Sequence, residues 1–399
     1  MKLIQAFSIT LLFMLASARG QAWESIRPPG TYTYFSSTLD SLGVVTVIGD
    51  GGTYWSADGG RKWTGESPSQ FTKSTVVFNY NGTKIANAGM VRLGAGQDFV
   101  AFPNGDLYCV GVLNLSTLTV FRSTDHGFTW NNTMDSLPEF ATVRFGKSEN
   151  LIATPNGNLF LFIPGAASKT DLYVSTDHGK TWQPKGNLVV YVACASDSAG
   201  QVYCSATEIP NSLSASLFQS QDTGSTWKKL VKMDLYFMVA ANQRDRIAIA
   251  GSKYIAVKAP GDTGFTIGTP GVDINLGSDI AITPSDEIMA GTSKGIVRIN
   301  KKLDGFETLN TGLKADSVIK SCKFQYDMQG NLYLHVNNGF YVMRNPNAAL
   351  FPVRKIQTSM PGQIYFDLNG RKRMRNPLRV FPELGLIGVF DPLRAEMER

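Results

Sequence analysis

The sequence is poor in the residues from which many metal sites and disulfide scaffolds are built. Only 3 of its 399 residues are histidine and 4 are cysteine, and no Cys-x-x-Cys spacing occurs. No zinc-binding pattern is therefore visible, and four cysteines in a chain of this length exclude a disulfide-dense scaffold. We expect neither a metal site nor a cofactor.

The four cysteines leave one local question open. Cys194 and Cys204 flank the turn-forming sequence Asp197-Ser198-Ala199-Gly200, so they could face each other across a hairpin and form a disulfide in an oxidising compartment. Cys109 and Cys204, however, occupy equivalent positions in neighbouring repeat units, which indicates two small buried apolar side chains. The sequence is compatible with both interpretations.

Long hydrophobic runs and helical periodicity are also missing between residues 21 and 348. Ahead of them, Met1-Lys2 precedes a short apolar stretch that ends in Ala16-Ser17-Ala18-Arg19-Gly20. This order is typical of a secretory signal peptide cleaved after Ala18 or Gly20, and no later stretch reaches about 18 apolar residues. The sequence predicts a signal peptide over residues 1–20, no transmembrane segment, and a secreted, periplasmic or cell-surface protein.

The net charge is low. Removing Lys2 and Arg19 with the signal peptide lowers the formal charge from +6 to +4, and much of the remaining excess lies in the run Arg371-Lys372-Arg373-Met374-Arg375. A uniformly basic face suited to nucleic acid is not indicated. We expect a protein or glycan partner instead, and the pattern specifies no oligomeric state.

What the chain does contain is a repeated turn sequence. The pattern S-x-D-x-G-x-T-W occurs at residues 123–130, 175–182 and 220–227, and at 56–63 with Lys62 in place of threonine. We call these four segments the S-x-D turns. Their aspartates are Asp58, Asp125, Asp177 and Asp222, and their tryptophans are Trp63, Trp130, Trp182 and Trp227. The aspartate can accept backbone hydrogen bonds, the glycine supplies a positive φ, and the tryptophan buries a large apolar area.

The S-x-D turns resemble the Asp-box, or bacterial neuraminidase repeat. The resemblance implies a β-propeller in which each box is the tight hairpin joining the outer strands of one blade. Sialidases, sortilin-type receptors, xyloglucan-degrading glycosidases and photosystem II assembly factors carry this repeat. In these families the box lies on the blade rim, away from any active site, so the resemblance implies structural roles for the eight residues and no particular activity.

A second signature fixes the number of repeats. An Asn or Asp with a Gly opens an apolar run 20 to 22 residues before three of the box aspartates, and degenerate copies continue downstream. Seven units can be counted in this way, six at aspartates 58, 125, 177, 222, 262 and 304 and a last one near residue 345. After the second unit they recur at periods of 40–52 residues. The sequence predicts an all-β fold, a seven-bladed β-propeller of four-stranded antiparallel blades over residues 21–348.

Two parts of this propeller need separate explanations. The first gap, of 67 residues, is too long for one blade and predicts an extra hairpin around Tyr80-Asn81-Gly82-Thr83, with a cramped eighth blade as the alternative. Residues 23–38 are the candidate for the strand that closes the ring and removes its exposed edges.

Residues 349–399 predict a short C-terminal β tail. The segment Ile364–Lys372 resembles the Y-D-L-N-G-R-K segment of small C-terminal β-domains that serve as sorting tails for type IX secretion. Gly388-Val389-Phe390 matches the second strand of that family only loosely. The alternative is an appended strand pair with a basic, solvated loop.

Catalytic motifs are scarce. Sialidases of the resembling family use an arginine cluster for the substrate carboxylate, a tyrosine activated by a glutamate, and an aspartate as acid and base. Arg27 approximates their R-I-P motif, although Pro28 replaces its isoleucine, while Arg92 and Arg144 lie in apolar, strand-like surroundings. No tyrosine–glutamate pair can be recognised by spacing. The missing motifs favour a non-catalytic propeller that binds a protein or glycan through loops on one face; the alternative is a sialidase-like exo-glycosidase.

Overall fold

A computed structural model of the chain contains only β-strands and irregular segments among the residues it describes. No helix long and apolar enough to cross a membrane occurs in this part of the chain. The described residues are 22–28, 34–40, 43–49, 52–65, 77–80, 83–86, 100–102, 104–113, 117–124, 127, 129–133, 150–164, 169–189, 191–207, 214–233, 237–242, 244–275, 278–314, 322–327, 329–336, 339–345, 364–366 and 372–374.

The strands form seven blades. The first strand is β1 (Trp23–Ser25), and blade 1 contains β2 (Tyr34–Leu39), β3 (Val45–Gly49), β4 (Gly52–Ser56) and β5 (Thr64–Gly65). An inserted pair follows, β6 (Val77–Tyr80) and β7 (Thr83–Ala86). Blade 2 contains β8 (Val100–Ala101), β9 (Leu107–Leu113), β10 (Thr117–Ser123) and β11 (Thr129–Asn132). Blades 3 and 4 contain β12 (Asn150–Ala153), β13 (Leu159–Pro164), β14 (Lys169–Ser175), β15 (Gln183–Val189), β16 (Tyr191–Ser196), β17 (Val202–Thr207), β18 (Ala215–Ser220) and β19 (Lys228–Met233).

Blades 5 to 7 follow the same plan. Their strands are β20 (Met238–Ala241), β21 (Ile247–Ala250), β22 (Ile255–Lys258), β23 (Thr266–Gly268), β24 (Ile280–Ile282), β25 (Ile288–Thr292), β26 (Gly295–Ile299), β27 (Phe306–Thr308), β28 (Cys322–Tyr326), β29 (Leu332–Val336) and β30 (Gly339–Met343). Each blade contains four antiparallel strands that lie side by side in chain order, except that β1 is the fourth strand of blade 7. The predicted seven-bladed β-propeller is confirmed.

The second strand of a blade is mostly apolar because both of its faces are covered. Every residue of β17, β21 and β25 is buried. A strand with one solvated face would alternate apolar and polar residues, whereas a strand between two neighbouring blades must bury both sets. The core is therefore a series of apolar layers between blades.

The N-terminal strand closes the ring. β1 pairs antiparallel with β30, and the Trp23 indole Nε1 donates to the Leu309 carbonyl at 2.6 Å. Arg344, just after β30, donates from Nε to Glu24 Oε2 at 2.6 Å and from Nη2 to the Gly59 carbonyl of blade 1 at 3.0 Å. Residues from both ends of the propeller therefore complete blade 7. Of the predicted closing segment 23–38, residues 23–25 form the closing strand, whereas residues 34–38 belong to β2, the first strand of blade 1.

Within its described residues, the long first gap forms a hairpin that joins blade 2 and not an eighth blade. β6 and β7 pair with each other across the predicted Tyr80–Thr83 turn, and β6 pairs in parallel with β11. Blade 2 is thereby widened to a six-stranded sheet whose outer edge is β7.

Each of the two sequence interpretations holds for some of the cysteines. Cys194 and Cys204 lie directly opposite each other on β16 and β17 and form a disulfide. Cys109 is a buried free thiol, as its repeat position predicts, and Cys322 is a second buried free thiol.

The C-terminal residues form a unit of their own. Residues 353–399 separate from residues 1–352 as a second compact unit. Its described part is an antiparallel pair, β31 (Ile364–Phe366) and β32 (Lys372–Met374), which is the predicted short β tail. The predicted boundaries at residues 20 and 348 lie outside the described residues.

We expect the ring closure to depend on Arg344. Arg344→Ala removes hydrogen bonds to a carboxylate and a carbonyl on two other elements, and should lower the free energy of unfolding by about 1–2 kcal/mol. Arg298→Ala is the matched control, since Arg298 joins Glu287 and Glu307 within blade 6 alone, and should cost less than about 1 kcal/mol. Urea unfolding measures both; a larger loss for Arg298→Ala would contradict this role of Arg344.

Candidate functional site

The turn between the first two strands of each blade, here called the first-hairpin turn, has one structure in all seven blades. The N–H of its first residue donates to the carbonyl of the fifth, and the N–H of the fourth donates to the carbonyl of the first. The fourth residue always has a positive φ, between 58° and 90°. The seven turns are residues 40–44, 102–106, 154–158, 197–201, 242–246, 283–287 and 327–331.

A side chain reinforces six of the seven first-hairpin turns. The first residue is Asp, Asn or Thr, and its side-chain oxygen accepts the N–H of the fifth residue at 2.8–3.1 Å. The predicted signature, an Asn or Asp with a Gly, includes this acceptor in blade 4, as Asp197, but not in the other blades. Asp, Asn or Thr at the first position with Gly or Asp at the fourth would have located the first-hairpin turn of blade 1 as well.

Several first-hairpin turns also connect neighbouring blades. Ser198 of blade 4 donates from Oγ to Asp245 Oδ1 of blade 5 at 2.7 Å. Asn242 of blade 5 donates from Nδ2 to Asp286 Oδ1 of blade 6 at 2.9 Å, and Arg244 forms an ion pair with the same carboxylate at 3.4 Å. These turns therefore hold blades 4, 5 and 6 together at one end of the propeller.

In two of these turns the aspartate at the first position pairs with a tyrosine of the strand that follows. Sialidases also pair a tyrosine with a carboxylate, which in their case belongs to a glutamate. The Tyr203 hydroxyl donates to Asp197 Oδ2 at 3.0 Å, and the Tyr333 hydroxyl donates to Asp327 Oδ2 at 3.1 Å. Burial, and then the adjacent carboxylate, raise the pKa of both tyrosines. Both phenols are buried and donate to turn carboxylates, so their hydroxyls serve the fold and are not accessible to a substrate.

The S-x-D turn of blade 3 shows how its sequence pattern makes a turn. The Ser175 hydroxyl donates to Asp177 Oδ1 and accepts the Gly179 N–H, both at 2.8 Å. The Thr181 N–H donates to Asp177 Oδ1 at 2.8 Å, and the Thr181 hydroxyl donates to Oδ2 at 2.7 Å. The Trp182 indole Nε1 then donates to the Gly179 carbonyl at 3.0 Å.

The other S-x-D turns repeat the serine and aspartate hydrogen bonds where those residues are described, but in blade 1 the Trp63 indole Nε1 has no hydrogen-bond partner. In blade 4, Asp222 accepts from the Thr226 N–H and hydroxyl at 2.8 and 2.6 Å. In blade 1, Asp58 accepts the Lys62 N–H at 2.8 Å, and lysine has no hydroxyl to supply the second bond. In blade 2, Trp130 Nε1 donates to the Gly127 carbonyl at 2.9 Å, while Asp125 lies outside the described residues.

Each S-x-D turn lies between the third and fourth strands of its blade and packs against the preceding blade. The Tyr108 hydroxyl of blade 2 donates to the His178 carbonyl in the blade 3 turn at 3.0 Å. Trp182 lies in an apolar cluster with Phe102 and Tyr108 of blade 2. Trp130 and Trp182 are buried, and Trp63 and Trp227 are partly buried. The tryptophans therefore fill the space between blades.

Blades 5 and 6 join their outer strands without this tryptophan. In blade 5 the Asp262 side chain accepts the Ala259 N–H at 2.9 Å, three residues before it. In blade 6 the Asn300 carbonyl oxygen Oδ1 accepts the Asp304 N–H at 3.2 Å. Leu303 has a φ of 62° and is buried in the apolar cluster shared with blade 5. A leucine with positive φ is strained, and its packing between the blades offsets that strain.

The hydrogen bonds of the S-x-D turns favour ionised aspartates. At Asp222 the Thr226 hydroxyl and N–H lower the pKa to about 2. At Asp177 burial raises the pKa, but the Thr181 N–H, the Thr181 hydroxyl and the Ser175 hydroxyl outweigh it, and the pKa is lowered. The charge of these carboxylates is thus used to hold the turn.

The arginines predicted as catalytic candidates are not assembled into a clamp in the described part of the chain. Arg27 is exposed and lies two residues after β1, the outer strand of blade 7, whereas residues that face the propeller axis belong to the inner strands. Arg92 and Arg144 lie outside the described residues. Within the described residues, no group of three or more metal-ligating side chains comes together.

Solved structures share this fold, whereas no protein-family model and no curated protein sequence matches the chain. YCF48 bound to a D1 peptide matches at 14% identity over 81% of this chain and 95% of its own, with a TM-score of 0.52. YCF48 from Cyanidioschyzon merolae matches at 12% over 81% and 99%, with a TM-score of 0.53. The GH74 xyloglucanase from Xanthomonas campestris matches at 15% over 82% and 54%, with a TM-score of 0.54. Similarity at this level establishes the fold alone, and the fold defines the class, a seven-bladed β-propeller.

The S-x-D carboxylates should make stability depend on acid. Asp58, Asp177 and Asp222 all have a pKa below the usual value of about 4. Their stabilisation is therefore complete above about pH 4 and is lost as the pH falls from there toward about 2. Urea midpoints should fall over this interval. The Asp177→Asn, Asp222→Asn double variant lacks two of these titrating carboxylates, so its urea midpoint should fall less. Equal pH slopes for the two proteins would contradict this prediction.

Stability should also depend on the inter-blade tryptophan. Trp182→Ala leaves a cavity between blades 2 and 3 and should cost roughly 3–5 kcal/mol, and Asp177→Ala about 1–2 kcal/mol through lost hydrogen bonds. Trp227→Ala serves as the matched control, and its cost should be smaller because Trp227 is only partly buried. Denaturant midpoints that do not move for Trp182→Ala would show that the turn does not support the blades.

Proposed function

We propose that this chain is an exported, non-catalytic β-propeller of the Asp-box type that binds a protein or glycan partner through the loops of one face. The observation that carries the proposal is that the S-x-D turns and the first-hairpin turns share one end of the blades. Consecutive strands are antiparallel, so the first and third turns of a blade must lie at the same end. Because that end is engaged in bonds within and between blades, the partner face is the opposite one.

The opposite face carries the second turn of each blade and the connections between blades. Its described parts include Gly251–Tyr254 in blade 5 and Thr292–Gly295 in blade 6. Lys253 and Lys294 of these turns are exposed. Many of the connecting loops lie outside the described residues. Loops positioned by a rigid scaffold are the usual location of binding residues, which supports this assignment.

Two observations support a binding function over catalysis. Tyr203 and Tyr333 are buried and donate their hydroxyls to the turn carboxylates Asp197 and Asp327, so neither phenol is accessible to a substrate. Arg27, the residue nearest to a sialidase motif, lies beside an outer strand. The YCF48 structure with the similar fold is bound to a peptide, which supports a protein partner among the alternatives.

The disulfide supports the exported state. Cys194 and Cys204 form a bond that persists in oxidising compartments and is rare where thiols are kept reduced. This agrees with the signal peptide that the sequence predicts over residues 1–20.

Blocking each face in turn tests the proposal. Lys253→Cys places one reactive thiol on the partner face. Lys180→Cys places one at the opposite end, because Lys180 belongs to the S-x-D turn of blade 3, and both lysines are exposed. Each variant is coupled to polyethylene glycol and applied to peptide and glycan arrays beside the uncoupled protein; the native free thiols, Cys109 and Cys322, are buried. We expect array ligands to be lost only with coupled Lys253→Cys. Loss only with coupled Lys180→Cys, or no ligand on either array, would contradict the proposal.

Catalysis is tested separately with a fluorogenic sialoside from mildly acidic to mildly basic pH. We expect no turnover, because an acid, a nucleophile and a carboxylate clamp must be held together for this chemistry. Turnover above background that disappears in Arg27→Ala would establish the exo-glycosidase alternative.

A further inference from the structure

The first strands of the seven blades surround the axis of the propeller. Each of them contacts the first strand of both neighbouring blades, in the closed order β2, β8, β12, β16, β20, β24, β28 and back to β2. These contacts complete a circle, so the first strands are innermost. Cys194 is the fourth of the six residues of β16, and the exposed part of a side chain in the middle of such a strand opens toward the axis.

The disulfide between β16 and β17 has one accessible sulfur. Cys194 is partly exposed, whereas Cys204 on the second strand of the blade is fully buried. Cys204 packs in an apolar cluster with Phe160 and Phe162 of blade 3. Because β16 lies nearer to the axis than β17, the sulfur of Cys194 is the one on the axis side of the bond.

The chemistry of disulfide exchange makes this difference decisive. A thiolate attacks one sulfur while the other leaves, so access determines which sulfur is attacked. In the folded propeller a thiolate can reach Cys194 and cannot reach Cys204. Attack on Cys194 forms a mixed disulfide there and releases Cys204 as a thiolate, which takes up a proton. In the reverse step the Cys204 thiolate attacks Cys194 and releases the small thiol.

This exchange does not require the blade to unfold. The disulfide joins residues only 10 positions apart, and the sheet already holds them opposite each other. β17 also pairs with β18 along its whole length. Opening the sulfur–sulfur bond therefore leaves Cys194 and Cys204 in place for the bond to form again.

The two other cysteines lack this access. Cys109 occupies on β9 the position that Cys204 has on β17, and burial raises the pKa of its thiol. Cys322 lies on a first strand, as Cys194 does, but it is buried, and burial raises the pKa of its thiol to about 12. Both thiols stay protonated, and the protonated form is a poor nucleophile.

We propose that Cys194 is a covalent capture site for a low-molecular-weight thiol that enters along the propeller axis, with Cys204 as the resolving thiol. The thiol must be small, because seven first strands enclose the axis and a folded oxidoreductase would have to bring its active-site sulfur past them. The resolving step joins two residues that already face each other, so the disulfide is the resting state. This site does not depend on the partner face of the proposed function.

Glutathione is the probe, and Cys204→Ser exposes the capture step because it removes the resolving thiol. The folded variant is incubated with oxidised glutathione: the Cys194 thiolate attacks its disulfide, forms the mixed disulfide and releases one glutathione thiolate. We expect mass spectrometry to show one glutathione per chain, mapped to Cys194, with Cys109 and Cys322 unmodified.

Cys194→Ser is the matched control, since it leaves the buried Cys204 as the free thiol of the pair. Its modification should be slower by about tenfold or more, because access controls the reaction. Unfolding midpoints confirm that both variants fold. Equal modification of the two variants, or no glutathione on the Cys204→Ser variant, would overturn the proposal.

Two further measurements test the route and the unmutated protein. Dithiothreitol should release glutathione from the folded Cys204→Ser adduct, whereas reduced thioredoxin, a folded protein, should release it only after the adduct is unfolded in urea. Equal release from the folded adduct by thioredoxin would overturn the axial route. In the unmutated protein, excess reduced glutathione followed by acid quenching should place glutathione on Cys194 alone, and glutathione on Cys204 would contradict the assignment.

Discussion

The closure of the ring by β1 is the constraint on which the other interactions depend. Each blade buries both of its faces against its neighbours, so a blade at an open end of the row would expose an apolar face. Trp23 and Glu24 of β1 prevent this by bonding to Leu309 and Arg344, which lie 286 and 320 positions later in the chain. Burial of the apolar layers throughout the propeller therefore requires contacts between the two ends of the sequence, and such contacts are entropically expensive to form early in folding.

The two ends of the propeller have different tasks. At one end, first-hairpin turns and S-x-D turns use backbone N–H groups, hydroxyls and carboxylates to fix each blade and to join it to the next. Asp177, Asp245 and Asp286 are all engaged there. Buried polar groups that satisfy one another in this way rigidify a structure, and a rigid end allows the loops at the opposite end to vary. The proposed partner face follows from this division.

Much of the fold could be predicted from sequence because its signals are local. The bonds of an S-x-D turn span four residues, so Ser175, Asp177 and Thr181 predict the turn wherever they recur. The extra hairpin and the closing strand were also predictable, since a gap of the wrong length and an apolar segment before the first blade are visible in the chain.

The remaining features depend on residues that meet only in space. Leu303 lies in the outer turn of blade 6, and no local pattern predicts a leucine with positive φ. Arg344 reaches the Gly59 carbonyl across 285 positions. Arg27 stays a prediction: its motif is local, whereas ring closure places it beside the outer strand β1. The disulfide was ambiguous since Cys109 and Cys204 share a repeat position, but only Cys204 is disulfide-bonded, to Cys194 on the adjacent strand.

Native-state hydrogen exchange of the β1 amides tests ring closure most directly. If β1 holds the propeller together, the Trp23 amide, which donates to the Thr311 carbonyl at 2.8 Å, should exchange only through global unfolding. Its exchange free energy should then equal that of amides in the buried strand β21. Exchange of the Trp23 amide through local opening, with β21 still protected, would show that the ring stays intact without its closing strand and would contradict this account.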